Sequence, residues 1–282
     1  MTDLANAEYT LYSSPFSLYS MMARHTIQLG RTTHSAKPPK DITLKFVNRG
    51  KEENLSEYYL TKVNPKGQVP AMTGNVLKQP LTDSISISLY LAENHYPDLL
   101  PDEHAAVIKD LLQRFHSVYG LSFSNKNPTP EMIQHNPSPV EDFLKRTDIS
   151  PEYRKALEAK LKFHNENNGI AFHPDVVAKA RADLRTIFAE IIELRRQSGA
   201  LKTPAEWIFG NKVGPTVLDS HMLPLVLRCI EVGNAELVPQ ELQLWAKTNE
   251  KSPTWEKVMH GRPTRYDPSM GPVEDMHDMM SL

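Results

Sequence analysis

The chain predicts two domains of different class, a small α/β domain over residues 1–98 and a larger all-helical domain over 103–265. Three observations carry this. Residues 9–46 place a strand-like run, a helix-like run and a second strand-like run at the spacing of a βαβ unit. From Asp102 onward strand signals fade and capped, 3.6-periodic segments take over. The 282 residues are 40% hydrophobic and 23% charged, enough for a real core and more than one average domain needs.

The first strand is YTLYS, residues 9–13, rich in β-prone side chains. A helix follows, starting near Ser17 and stopping at Gly30, with Leu18, Met21, Met22 and Ile27 on one stripe. DITLKFVN alternates as a half-buried strand, with Ile42, Leu44 and Phe46 on one face. NPKGQVPAM (64–72) then sets Val69-Pro70 before a short apolar segment. Proline cannot donate to a strand ladder, so Pro70 marks an edge, a turn or a cis bond. AMTG and NVLKQ are two short runs consistent with a hairpin. LTDSISISLYLAENHYP reads as a helix, because TDS forms a cap, Ile85/Leu89 and Ile87/Leu91 are i,i+4 pairs, and Pro97 stops it.

In the second domain, residues 102–123 are helical by periodicity. Pro151 just inside Ser150 opens another helix. Residues 174–199 read as a long amphipathic helix ended by basic residues and then Gly199. Thr216 with Asp219 three residues on resembles a capping box. Two shorter helices begin at Pro239 and Pro253. Residues 125–148 are dense in Pro and Asn and read as a long functional or mobile loop. Residues 266–282, rich in Pro and Met, read as a poorly ordered tail.

The formal net charge of −2 gives no reason to expect nucleic acid or an anionic membrane as partner. The single cysteine, Cys229, excludes an internal disulfide and fits a reducing compartment. It sits in the apolar run LPLVLRCIEV, as an inert core thiol would. No signal-peptide pattern opens the chain, and no run approaches the roughly 18 apolar residues of a membrane helix. No metal-ligand spacing, P-loop or dinucleotide fingerprint occurs. A cytoplasmic location is expected.

The β-α-β order, then NPKGQVPAM, LTDSISISLYL and GPTVLDSHMLP, together resemble the cytosolic glutathione transferases. The resemblance covers most of the chain, is strongest over 64–91, and is weak near 125–175, where this chain carries an insert. That insert suits a fungal-type member serving secondary metabolism. The resemblance implies a thioredoxin-like glutathione-binding domain, an all-helical partner domain, a homodimer, and glutathione as cosubstrate.

It also implies site residues. Pro70 is cis, and the Val69 backbone pairs with the cysteinyl part of glutathione as a short antiparallel strand. Ser84 and the N–H groups of its helix take the γ-glutamyl carboxylate, Asp83 takes the ammonium, and Gln68 adds a contact. Lys51 and Asn54 are candidates for the glycyl carboxylate. A free thiol has a pKa of about 8.5, so a hydrogen-bond donor near the first helix must stabilise the thiolate. Counting back from Gly30 puts that position on Phe16 beside Ser17; counting forward from the strand puts it on Ser13 or Ser14. Ser17 ranks first, then Ser14, then Tyr12.

The expected chemistry is addition of the thiolate to an electrophilic small molecule, as conjugation or as glutathione-dependent cis/trans isomerisation of a conjugated double bond. The electrophile is expected between the domains, against residues 114–123 and the 125–148 loop. The rival is a non-catalytic glutathione-binding or regulatory protein keeping the same fold.

Overall fold

A computed structural model describes residues 7–125 and 127–282; the reading of the first six residues as no secretory leader lies outside the described residues. Strand β1 (Tyr9–Ser13) is central in a three-stranded sheet of order β2-β1-β3. It runs parallel to β2 (Ile42–Phe46), with Leu11 opposite Leu44, and antiparallel to β3 (Ala71–Gly74), with Leu11 opposite Met72. A parallel pair needs a crossover, and α1 (Leu18–Gly30) supplies it.

Gly30 ends α1 for a reason other than a left-handed turn. A Cβ there would lie 2.3 Å from the Tyr96 ring, so only glycine lets the helix end and that ring close on each other. The orphan carbonyls of the last turn are met locally. Arg31 N–H donates to Ile27 O, and the Thr32 and Thr33 hydroxyls donate to Leu29 O and Gly30 O, each at 2.7 Å.

The expected 71–79 hairpin is not what forms. After β3 the chain turns at 74–77, with Leu77 N–H on Gly74 O, and returns to pair at one bridge, Met72 with Leu81. The β3 edge is therefore met by Leu81, and NVLKQ makes no strand. Helix α2 (Ser84–Asn94) does form, and it buries Ser84, Ile87, Ser88, Leu91 and Ala92, the i, i+3, i+4, i+7, i+8 face of a helix.

The remaining helices are α3 (Asp102–His116), α4 (Leu121–Ser124), α5 (Pro130–Gln134), α6 (Val140–Leu144), α7 (Pro151–Glu166), α8 (Pro174–Gln197), α9 (Val217–Glu231), α10 (Gln240–Asn249) and α11 (Pro253–Met259). α9 is buried from Val217 through Cys229 and packs on α1, so one apolar core runs through both halves. Its start is the predicted capping box. Asp219 Oδ2 accepts from Thr216 N–H at 2.9 Å and Thr216 Oγ1 at 2.8 Å, while Oδ1 accepts from Ile208 N–H at 2.8 Å. No helix among the described residues is long and apolar enough to cross a membrane.

Two expectations are corrected. Residues 125–148 carry α5 and α6, and Val140 packs with Tyr153 and Leu157 of α7 against Leu55 and Leu60. Tyr153 Oη of α7 donates to Leu55 O at 2.6 Å, so α6 and α7 together buttress the 53–60 segment. The 266–282 tail is also packed: Met276 and Met279 are buried, and Tyr266 meets Phe16 with ring centroids 5.5 Å apart. Methionine content, read as a mark of disorder, is here the anchoring apolar surface.

Where α1, α2, α3 and α9 meet, a chain of polar side chains crosses the core. Thr26 Oγ1 lies 2.8 Å from Ser88 Oγ and 2.7 Å from Ser220 Oγ. His221 Nε2 is 3.0 Å from Ser88 Oγ, and His221 Nδ1 is 2.9 Å from His116 Nε2. Buried polar groups demand partners, and these residues supply one another. Burial holds the nearby imidazoles neutral: His25, wholly buried against Trp255, is pushed down to about 3, as is His116.

These histidines take up protons in the unfolded chain below about 6.5 and resist them in the folded one. Stability must therefore fall as pH drops from 6.5 toward 3. Replacing His25→Phe, which keeps an aromatic ring beside Trp255, is expected to flatten that slope by up to about 1.4 kcal/mol per pH unit. Urea denaturation at pH 7, 5.5 and 4.5 measures it; an unchanged slope would show that His25 is not the titrating group.

Candidate functional site

The site is built around residue 64. Asn64 has no exposed surface, and each of its polar groups has a partner. Its Nδ2 donates to Gln68 O at 2.9 Å and Thr82 O at 3.2 Å, and its Oδ1 accepts from Lys66 N–H at 3.0 Å. Its backbone N–H donates to Tyr59 O, and its carbonyl accepts from Gly67 N–H, each at 2.8 Å. One amide thus fixes the Val69 turn to the segment opening α2. Tyr59 Oη adds a second hold on Gln68 O at 2.7 Å.

The Val69-Pro70 peptide is cis, as read from the sequence. The ladder between β1 and β3 begins only at Ala71, opposite Tyr12, so Val69 lies just past its end. There it meets the start of α1. Ser17 is the N-cap: its Oγ accepts from Ser20 N–H at 3.4 Å and donates to Val69 O at 3.5 Å. Both contacts are long, so this hydroxyl is near the turn but weakly held.

The other thiol-activating candidates fare differently. Ser14 caps no helix; its carbonyl accepts from Ser17 N–H at 3.1 Å and its N–H donates to Ser20 Oγ at 3.3 Å. It lines a cleft, as does Phe16. Ser13 is buried, with an Oγ that has no partner among the described residues. The Tyr12 hydroxyl lies against Tyr58 Oη at 3.1 Å, and burial raises its pKa above the ordinary phenol value.

At α2, Asp83 is the N-cap, with Oδ1 accepting from Ser86 N–H at 2.7 Å and Oδ2 from Ser86 Oγ at 2.8 Å. Its side chain stays exposed, so capping and outward presentation of charge coexist. Thr82 contributes only its carbonyl to the Asn64 clamp among the contacts here. Ser84 is 1% exposed and its Oγ has no partner among the described residues. A buried hydroxyl left unpaired at a helix N-terminus calls for an acceptor.

Asn54 drops out of the carboxylate-gripping candidates, since its Nδ2 donates to Gly67 O at 2.9 Å and holds a turn. Lys51 is exposed and pairs with Glu274 of the tail at 2.8 Å. Pro70 and Val69 are buried and Gln68 half-buried. Cys229 is wholly buried, its thiol pushed up to about 12 by burial, and is inert as expected. No group of three His, Cys, Asp or Glu suited to a metal occurs among the described residues.

A cleft of about 460 Å³ opens beside Ser14 and Phe16, closed by residues 48–51 on one side and by Arg228, Arg265, Tyr266 and 272–274 on the other. Neither residues 114–123 nor residues 125–148 line it; Val140 and Phe143 of the latter pack in the cluster of Leu55 and Leu60. Sequence reasoning missed Asn64, Arg228 and the tail. Asn64 opens the NPKGQVP motif and was legible as a turn residue; the other two are joined to the site only by the fold.

Known proteins agree on the architecture. No protein-family model matches this sequence. The glutathione S-transferase GstA of Escherichia coli O157:H7 is 31% identical over 136 residues, which cover 45% of this chain and 58% of that protein. The chain thus matches less than two thirds of that relative's length. The β-etherase LigF from Sphingobium sp. strain SYK-6 superposes with a TM-score of 0.58 at 17% identity, covering 90% of this chain and 100% of that one. Glutathione transferase F7 from Populus trichocarpa gives 0.54 at 18% identity, covering 90% and 98%. The fold is that of the glutathione transferases. A further chain with this fold, a transferase homologue from sulfitobacter solved with bound glutathione, gives a TM-score of 0.53 at 14% identity, covering 90% and 98%.

Within this transferase fold, clamp and ligand groups separate by their stability effects. Asn64→Ala removes a wholly buried amide, leaves Thr82 O without that donor and Gln68 O with Tyr59 Oη alone, and is expected to cost about 1–3 kcal/mol. Ser84→Ala removes a hydroxyl that bonds to nothing and is expected to stay within about 0.5 kcal/mol of the parent or gain. Chemical denaturation compares them. A large loss for Ser84→Ala would show that its hydroxyl is structural.

Proposed function

We propose that the protein is a glutathione transferase that binds glutathione along Val69 and at the start of α2, then delivers its thiolate to an electrophilic small molecule. The observation that carries this reading is the buried, unpartnered Ser84 hydroxyl beside the outward Asp83 carboxylate, clamped through Asn64 to the turn where Ser17 meets Val69. The 31% identity to GstA supports it.

The γ-glutamyl carboxylate accepts from Ser84 Oγ and the free N–H groups of the first turn of α2, where the helix dipole favours negative charge. Its ammonium faces Asp83. The cysteinyl backbone lies along Val69, with Gln68 adjoining. Ser17 Oγ then donates to the sulfur in place of the long bond to Val69 O, lowering the thiol pKa. The thiol releases its proton to solvent and its sulfur lone pair forms the new C–S bond. In conjugation by substitution the leaving group departs with the bonding pair. In the isomerisation variant the thiolate adds to a conjugated double bond, the adduct rotates about the resulting single bond, and elimination returns the thiolate. Both need the same groups.

The chain is placed in the cytoplasm, as a homodimer, and the fungal-type, secondary-metabolic assignment belongs to the same proposal. The non-catalytic alternative is separated by turnover. With 1-chloro-2,4-dinitrobenzene as acceptor, Ser17→Ala is expected to lower kcat/KM about 100-fold. Ser84→Ala is expected to raise the KM for glutathione about 10-fold. Full activity in Ser17→Ala with loss in Ser14→Ala would move the thiol-activating role to Ser14. Glutathione binding without turnover of conjugation or isomerisation acceptors would favour the binding-protein reading.

A further inference from the structure

The cleft beside Ser14 concentrates positive charge. Arg49, Lys51, Arg228 and Arg265 line it together with one carboxylate, Glu274. That carboxylate is already engaged, with Lys51 at 2.8 Å and Asn48 Nδ2 at 3.2 Å. Arg49 and Arg265 make no ion pair among the described residues; both are exposed. Asp267, within electrostatic reach of Arg265, has its carboxylate accepting from Ser269 N–H at 2.9 Å.

Arg228 is built in. It is 8% exposed on α9, and its Nε donates to Thr264 Oγ1 and its Nη2 to Phe16 O, each at 3.0 Å. Glu231, the carboxylate nearest it electrostatically, accepts from Thr264 N–H at 2.8 Å. Burial pushes the Arg228 guanidinium down to about 10; Glu231 opposes that shift, and Arg265 and Arg49 add to it. Three guanidiniums repelling one another around a cleft are relieved by an anion. Beside them the Phe16 and Tyr266 rings, tilted at 52°, offer an aromatic wall.

We propose that this cleft seats an anionic aromatic acceptor, its negative group among Arg49, Arg228 and Arg265 and its ring against Phe16 and Tyr266. As a statement about substrate class it rests on the thiol-transfer reading; as a statement about binding it does not. The tail thereby becomes part of the acceptor site, supplying Arg265 and Tyr266. Arg228 couples both walls, since one guanidinium holds the Phe16 carbonyl and the Thr264 loop.

The test needs no turnover. The intact chain is titrated calorimetrically, without glutathione, with 3,5-dinitrobenzoate and with uncharged 1,3-dinitrobenzene. The benzoate is expected to bind at least about 10-fold tighter, a preference that Arg265→Gln cuts by about 10-fold and rising salt erodes. Arg265 is exposed, so this variant does not put folding at stake; Arg49→Gln gives a second reading. Equal affinity for the two probes, or a preference untouched by both variants, overturns the proposal. So does a glutathione titration in which Arg265→Gln weakens glutathione while leaving the benzoate unaffected, because the seat then serves the glycyl carboxylate. Benzoate binding with no glutathione binding would uphold the anion seat and refute the thiol-transfer reading.

Discussion

The Asn64 side chain is the constraint on which the candidate site depends. The two segments of the proposed glutathione site, the Val69 turn and the opening of α2, come from opposite sides of β3 in the sequence. The sheet alone does not align them, since β3 is four residues long and returns through one bridge at Leu81. Nδ2 of Asn64 reaches both carbonyls, and its own remaining groups are satisfied within the 59–67 segment. A fully satisfied buried amide of this kind costs little to keep and much to break. The groups proposed to meet the ligand can then be left weakly held or unpaired: Ser84 Oγ without a partner among the described residues, Ser17 Oγ on two long contacts.

A second level of organisation ties that site to the helical half. α9 packs on α1 and carries two different polar devices at its ends. Near its start, Asp219 caps the helix while Ser220 and His221 join Thr26, Ser88 and His116 in a buried chain. Near its end, Arg228 reaches across to Phe16 O and Thr264. The first fixes α1 and α2 against the helical domain; the second fixes the turn holding Ser14 and Phe16 against the tail. The position of the Ser14–Ser17 turn is therefore set by both halves of the molecule.

Much of this was legible in the sequence, for identifiable reasons. Local rules carried β1, α1 with Ser17 as its cap, the Ser150-Pro151 start, the Thr216–Asp219 box and α2, whose Ile87/Leu91 pair lies on the buried face. The cis Val69-Pro70 bond followed from resemblance in one motif. What failed was long-range. NVLKQ reads as a strand by composition, but the edge it would pair with is taken by Leu81. The insert and the tail look alike as Pro-rich segments, yet one packs on Leu55 and Leu60 and the other closes the cleft. No local pattern says which surface a loop will cover. The tail's place is decided by contacts such as Lys51 with Glu274, across more than two hundred residues of chain.

The central claim, that the Asn64 clamp assembles a glutathione site, is tested most directly by calorimetric titration of the intact chain with glutathione. Saturable binding at one site per chain is expected, in the submillimolar range, with S-methylglutathione binding in competition. Absence of any binding heat or competition at millimolar glutathione would contradict it, and would mean that the unpaired Ser84 hydroxyl and the Val69 turn answer to a different ligand.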